Sequence, residues 1–339
     1  MRRVMTEFQD AKALVRRHYA ALDAAAPGAE TEAALAAATT PDWAWHGYHP
    51  FGLLSGAEAV AQQFWSPLKS SLTSLQRRDD LFFAGRNDCD GFETVWVAGM
   101  GHLMGLFDHP WLGIRPTGKL AFLRYATFHR IEGDRIAQTA MYFDVPSVMM
   151  QAGLQPFPPQ TGAQLIQPGP QTHDGMLFGD HDPAEATKTL NLINAMVADI
   201  GTWNLGLPLE DELRRTWAED MLWWGPTGIG STYTILRYAK QHAAPFRAGF
   251  ADRTRTGHIA RLAEGNYGGF FGWPNFTARP TGGFMGMPGT EKSAEFRVID
   301  MYRRDGDKLA ENWVIIDMLH FWHQQGVDIL DRTLGTAGA

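Results

Sequence analysis

Two aspartates stand at the ends of apolar runs where a carboxylate is out of place. Asp144 follows Met141-Tyr142-Phe143, and Asp317 follows Trp313-Val314-Ile315-Ile316. Strands disfavour aspartate. A carboxylate buried beside such a strand has its pKa raised and can move a proton near neutral pH. Each aspartate also precedes a short helical run, Val145 to Met150 or Met318 to Gln325, so capping that helix is an alternative role. Capping asks only for a short side chain that carries an oxygen.

Other residues could help such a proton transfer or hold its substrate. His102, in a glycine-rich strand, could orient a carbonyl oxygen or steady the aspartate; as a lone histidine it could also be a packing residue. Asn275 occupies the matching place in the second half. Trp45-His46 and Trp223-Trp224 hold equivalent strand positions, and because strand neighbours point to opposite faces, one of each pair can face a pocket. A pocket-facing His46 opposite Trp224 would make the first cavity the wetter one. Arg124 and Arg297 are equivalent and could bind a ligand carboxylate or form an ion pair. His46-x-x-His49 and His320-x-x-His323 have spacings a metal could use, but no third ligand is linked to either by motif, so no metal site is expected. There is no dinucleotide-binding glycine motif, no Walker A sequence and no nucleophile elbow.

The elements that position these residues occur twice. Gly113, Thr117, Lys119, Arg124, Gly133, Asp134, Asp144, Gln151 and Gly153 map onto Gly286, Thr290, Lys292, Arg297, Gly306, Asp307, Asp317, Gln324 and Gly326 at a constant spacing of 173 residues. Earlier, Asp42, Trp45, Gly47, Gly52 and Pro67 map onto Asp220, Trp223, Gly225, Gly230 and Pro245 at a spacing of 178. A repeat of this length implies two similar domains: residues 1–154, a Pro/Gln/Gly-rich linker at 155–181, and residues 182–339. In each half apolar residues first recur at helical spacing (Ala11, Val15, His18, Leu22; Leu190, Ile193, Val197, Ile200) and then in strand-like runs joined by the tight turns at Gly133-Asp134 and Gly306-Asp307. Helices followed by an antiparallel meander predict an α+β fold, helices covering one face of a curved sheet.

Composition narrows the class. The chain has 339 residues, of which 45% are hydrophobic and 20% charged, as a globular protein has. A net charge of −7 argues against a nucleic-acid partner. No apolar run reaches the roughly 20 residues needed to cross a bilayer, so no membrane partner is expected. The N-terminal stretch lacks a signal-peptide core, and the one cysteine, Cys89, fits a reducing, cytoplasmic setting. With 12 Trp and 20 Phe, the interior should have broad flat walls, suited either to bulky packing or to a pocket for a flat apolar ligand.

WLGIRPTGK at 111–119, the strand with Arg124, the Gly133-Asp134 hairpin, the strand ending at Asp144 and QAG at 151–153 resemble the SnoaL-like polyketide cyclase family. So do FMGMPGTEK, FRVIDMYRRDGDKLAENWVIID and QQG in the second half. The resemblance, which spares only the linker, implies two tandem cone-shaped α+β barrels of the nuclear transport factor 2 (NTF2) and ketosteroid isomerase superfamily, each with a deep apolar pocket. It implies that the aspartate at the position of Asp144 and Asp317 is the general acid/base, removing a proton alpha to a carbonyl so that an intramolecular aldol step closes a ring. It implies no metal or organic cofactor. The family's Glu-x-Trp before the aspartate survives as Glu311-Asn312-Trp313 but is Gln138-Thr139-Ala140 in the first half, whereas the Gly-His pair survives only as Gly101-His102. The halves should therefore be unequal, with Asp317 the stronger candidate and Trp313 beside the substrate. The expected activity is a cyclase or isomerase on a small apolar carbonyl compound, of the ester-cyclase kind. The alternative is a non-catalytic binder of a hydrophobic metabolite. Such domains pair through their sheets, so the tandem could form a pseudo-dimer within one chain or assemble further.

Overall fold

The computed structural model describes residues 2–159, 161–202 and 205–336, with side chains from 8 to 335. The chain divides into two compact units. Residues of 156–170 group with the second and residues 171–180 with the first, as do the described residues from Leu330 onward. No helix among the described residues is long and apolar enough to cross a membrane.

The first unit opens with α1 (Arg2–Ala24), which buries Ala11, Leu14, Val15, His18, Tyr19 and Leu22, one helical stripe. After α2 (Ala29–Ala38) come β1 (Thr39–Gly47), β2 (Leu53–Ser55), α3 (Gly56–Val60), a π-helical turn over Ala61–Trp65, and α4 (Ser66–Ser71). Three long strands follow, β3 (Leu72–Arg86), β4 (Val95–Phe107) and β5 (Leu120–Glu132), then β6 (Arg135–Phe143) and α5 (Val145–Gln151). The sheet order is β2-β1-β6-β5-β4-β3, with only β1 and β6 parallel. Met176 of the Pro-rich segment forms a bridge with Phe82 on β3.

The second unit repeats this order: α6 (Pro183–Thr202), α7 (Leu209–Leu213), β7 (Trp217–Trp224), β8 (Thr232–Tyr233), α8 (Ile235–Tyr238), a second π-helical turn at Ala239–Ala243, and α9 (Ala244–Gly249). Its three long strands are each broken in two. β9 (Phe250–Arg255) and β10 (Ala260–Glu264) replace the first, β11 (Tyr267–Phe271) and β12 (Phe276–Pro280) the second, and β13 (Ala294–Phe296) and β14 (Val298–Asp305) the third; β15 (Lys308–Ile316) and α10 (Met318–Gln324) complete the copy before α11 (Ile329–Thr336). The result is a six-stranded sheet, β10-β11-β14-β15-β7-β8, and a separate three-stranded one, β13-β12-β9. Pro274 supplies the local reason. It has no N–H to give to a ladder, and next to it Asn275 uses its side-chain Oδ1 to accept from Val298 N at 2.8 Å, doing the work of a strand partner.

Candidate active site

Pairing in the second sheet decides which side chains meet. Val298, Asp300 and Tyr302 on β14 stand directly opposite Ile316, Val314 and Asn312 on β15, and Asn312 is level with Trp223 on the parallel β7. Residues opposite one another share a face. These side chains form the floor of a cavity of about 130 Å³, closed by Trp217, Tyr238, His242 and Phe246. A second lobe, about 110 Å³, shares Ile200, Phe276, Val298, Asp300 and Tyr302 with it and extends to Arg253, Arg255, His258 and Asn275. That lobe lies where the strands are broken.

Asp300 is the carboxylate at the junction of the two lobes. It accepts from Asn312 Nδ2 at 3.0 Å and from the Tyr302 hydroxyl. Burial first, and then the negative charge of Asp300, hold Tyr302 and Tyr238 far above the ordinary tyrosine pKa, so both phenols stay protonated donors. His242 stacks on Trp223, ring centres 4.0 Å apart, and burial pushes its pKa down to about 3. Its Nδ1 is buried and has no hydrogen-bond partner. This is a neutral imidazole, able to bond to a ligand oxygen without carrying charge.

The tryptophan wall depends on a glycine two residues on. A Cβ on Gly225 would lie 1.9 Å from the Trp223 ring and 2.5 Å from Gly230 O, and one on Gly47 would lie 2.0 Å from the Trp45 ring. In both units the indole folds over a backbone that no side chain may occupy.

The first unit has the same cavity, filled. Its lining includes His18, Tyr19, Trp43, Trp45, Trp65, Arg77, Thr127 and His129 around about 10 Å³, at most the room of one water. The repeat register explains the difference. Tyr19, Trp43 and Trp65 become Val197, Met221 and Ala243, and each exchange removes bulk. Meanwhile Thr127 becomes Asp300, His129 becomes Tyr302 and Phe64 becomes His242, so the opened cavity gains a carboxylate, a phenol and an imidazole. In the first unit four of the polar groups are linked in a chain: Tyr19 Oη bonds Thr127 Oγ1 and His129 Nε2, both at 2.8 Å, and His129 Nδ1 bonds Thr139 Oγ1 at 2.9 Å. Arg77 donates twice to Asp23, at 2.9 Å each, beneath the Tyr19 ring. Asp23→Ala should cost about 2 kcal/mol of stability, less than a fully buried pair because Asp23 is part-exposed. A shift of the urea midpoint checks it.

The buried histidines set the acid limit of the fold. His18 and His242 each have a folded pKa near 3 because burial disfavours the imidazolium, with Arg77 adding to the effect at His18. Below pH 6.5 the unfolded chain takes up protons that the folded chain refuses. Stability should therefore be intact above pH 6.5 and fall towards pH 3, by up to about 1.4 kcal/mol per pH unit per histidine. Melting temperatures measured from pH 7 to pH 4 test this, and an increase on acidification would contradict it.

The residues singled out from sequence separate into two groups. Trp45, Trp223 and Asn275 line cavities. His46 and Trp224 take the opposite face, level with Ala140 and Trp313, so the expected wetter first cavity does not arise. Trp313 also turns away from the cavity and donates Nε1 to Pro168 O at 2.9 Å, while Glu311 on that same face pairs with Arg303 at 2.5 Å. His102 stands opposite Arg124, on the face remote from Thr127 and His129, with Nδ1 3.4 Å from Asp80. Arg297 pairs with Glu295 at 3.1 Å and covers the Trp273 ring. Asp144 and Asp317 are buried caps: their Oδ1 atoms accept from Ser147 N at 3.1 Å and His320 N at 3.0 Å, and neither lines a cavity described above. Sequence reasoning missed Asp300, Tyr302 and His242. The signal was there, in the exchange of Thr127 and Phe64 for ionisable residues at repeat-equivalent sites.

Residues 239–325 match the SnoaL-like polyketide cyclase family. Among solved structures the chain is similar to a protein from Jannaschia sp. CCS1 provisionally described as a SnoaL-like polyketide cyclase (17% identity, TM-score 0.34, 42% of this chain and 90% of that one). It is also similar to IdmH from Streptomyces antibioticus, provisionally described as a polyketide cyclase (22%, 0.33, 40% and 97%), and to an NTF2-like protein from Burkholderia thailandensis E264 (20%, 0.32, 42% and 97%). No curated protein matches. The family match thus falls within the second unit, whose architecture is mixed α+β. The first unit, in which the three long strands are unbroken, shares its element order and its α+β architecture.

Proposed function

We propose that the second unit is the working half, an enzyme of the cyclase or isomerase type that removes a proton alpha to the carbonyl of an apolar, flat compound. The observation that carries this reading is Asp300, the one carboxylate on the cavity wall, set among Trp217, Trp223 and Tyr238. Asp300 takes the proton onto its carboxylate, leaving an enolate on the substrate. Tyr238 and His242 face that oxygen as uncharged donors. The enolate then either takes that proton back from Asp300 at another carbon of its conjugated system, an isomerisation, or bonds through its α-carbon to a second carbonyl carbon whose oxygen receives that proton, an aldol ring closure. The filled first cavity serves stability.

The test needs no knowledge of the natural substrate. In heavy water the full chain should catalyse loss of the α-proton signal of an aromatic methyl ketone such as 2-acetonaphthone, followed by NMR. Binding without exchange would leave the protein a carrier of apolar metabolites and end the enzymatic reading.

A further inference from the structure

The two cavities differ at one more pair of positions, where the second unit lacks a carboxylate that the first possesses. Leu72 to Arg77 align with Phe250 to Arg255, a register fixed by left-handed backbone at the equivalent Ser74 (φ 52°) and Asp252 (φ 54°). Arg77 corresponds to Arg255. The helical partner of Arg77, Asp23, corresponds to Gly201 at the same spacing as the equivalent pair Val15 and Ile193, both fully buried. The correspondence holds in space: a Cβ on Gly201 would lie 3.7 Å from Arg255 Nη1. Among the described residues no carboxylate is within ion-pairing reach of Arg255. Facing the same lobe, Asn275 is 5% exposed with its Oδ1 committed to Val298 N, and its Nδ2 is buried without a partner. A buried amide donor left open is costly unless something accepts from it.

We propose that the lobe between Arg255 and Asn275 binds the carboxylate of an acidic ligand with a flat apolar body, the ligand supplying the group that Asp23 supplies to Arg77. This rests on the second cavity being the ligand site. In the first unit the equivalent arginine, Arg77, donates two parallel bonds of 2.9 Å to a carboxylate, the pairing that a ligand carboxylate would reproduce at Arg255. Nearby positive charge is in excess. Arg253 lines the lobe, and burial, then Arg247 and Arg255, push its pKa down to about 10. Asp300, which accepts from Asn312 and Tyr302, also lines the lobe and would repel a carboxylate placed beside it. The acidic end of the ligand therefore points to Arg255 and its apolar body to Trp223.

The test compares 2-naphthoate with 2-acetonaphthone, titrated into the full chain. Wild type should bind naphthoate about tenfold more tightly than the ketone, the scale of charge-assisted hydrogen bonds. Arg255→Gln should abolish that preference, weakening naphthoate binding about tenfold relative to the ketone. Gly201→Asp should do the same by restoring an internal partner, with Gly201→Ala as the control for folding. If the ketone binds and neither Arg255→Gln nor Gly201→Asp changes the preference, the carboxylate site is disproved while the cavity reading survives. If inorganic phosphate displaces naphthoate far better than acetate does, the ligand is a phosphate and the carboxylate assignment falls. If neither compound binds wild type, or Trp223→Ala leaves both affinities unchanged, the cavity reading fails and this proposal with it.

Discussion

Asp300→Asn is expected to lower α-proton exchange by about 10²- to 10⁴-fold, the usual contribution of a general base, while 2-acetonaphthone still binds. The substitution keeps shape and can still accept from Asn312, so the cavity floor should hold. What is lost is a carboxylate able to receive a proton. The decisive comparison is with the two helix caps. Asparagine caps a helix about as well as aspartate, so Asp317→Asn and Asp144→Asn should leave exchange within about twofold of wild type and stability within about 0.5 kcal/mol. The same NMR experiment on all three variants separates the readings. If Asp317→Asn were silent in stability but abolished exchange, and Asp300→Asn kept the full rate, the acid/base would belong to the strand end after all.

Gly225→Ala should unfold the cavity wall. Its Cβ has 1.9 Å to the Trp223 ring where about 3.5 Å is needed, and the nearby backbone oxygen of Gly230 leaves no direction to yield. Either the indole swings into the cavity or the β7 end moves, and overpacking of this kind costs about 3 kcal/mol. The urea midpoint should fall, and 2-acetonaphthone binding should weaken by about tenfold or more. Gly47→Ala is the internal control. It meets the Trp45 ring at 2.0 Å and should cost similar stability, yet leave ketone affinity per folded molecule unchanged, because the cavity of that unit is already full. Equal loss of binding in both variants would show that the first unit takes part in the site.

Much of the architecture was legible because duplication is a property of residue order. The hairpin turns, the strand ends at Asp144 and Asp317, and the pairing of Trp45 with Trp223 all follow from spacing, and the structure has each of them. The site was less legible. A family-like Glu-x-Trp and a Gly-His pair drew attention to Trp313 and His102, and both lie on the face of their sheet that the cavities do not use. Alternation says that neighbours part company but not which of them goes inward. That choice falls to whatever packs on each face, here α1 in one unit and α6 in the other.

The same division holds for the aspartates. Residue order by itself determined that there are two copies, that each ends a strand on a carboxylate, and that the copies differ in bulk: Tyr19, Trp43 and Trp65 against Val197, Met221 and Ala243. Only the tertiary structure decided that the terminal carboxylates turn back to cap their helices, where backbone N–H groups 3.0 to 3.1 Å away hold them. It also decided that Asp300 faces the space the smaller residues leave. A cap is satisfied locally, within three residues, whereas a cavity exists only where segments distant in sequence fail to fill the volume between them.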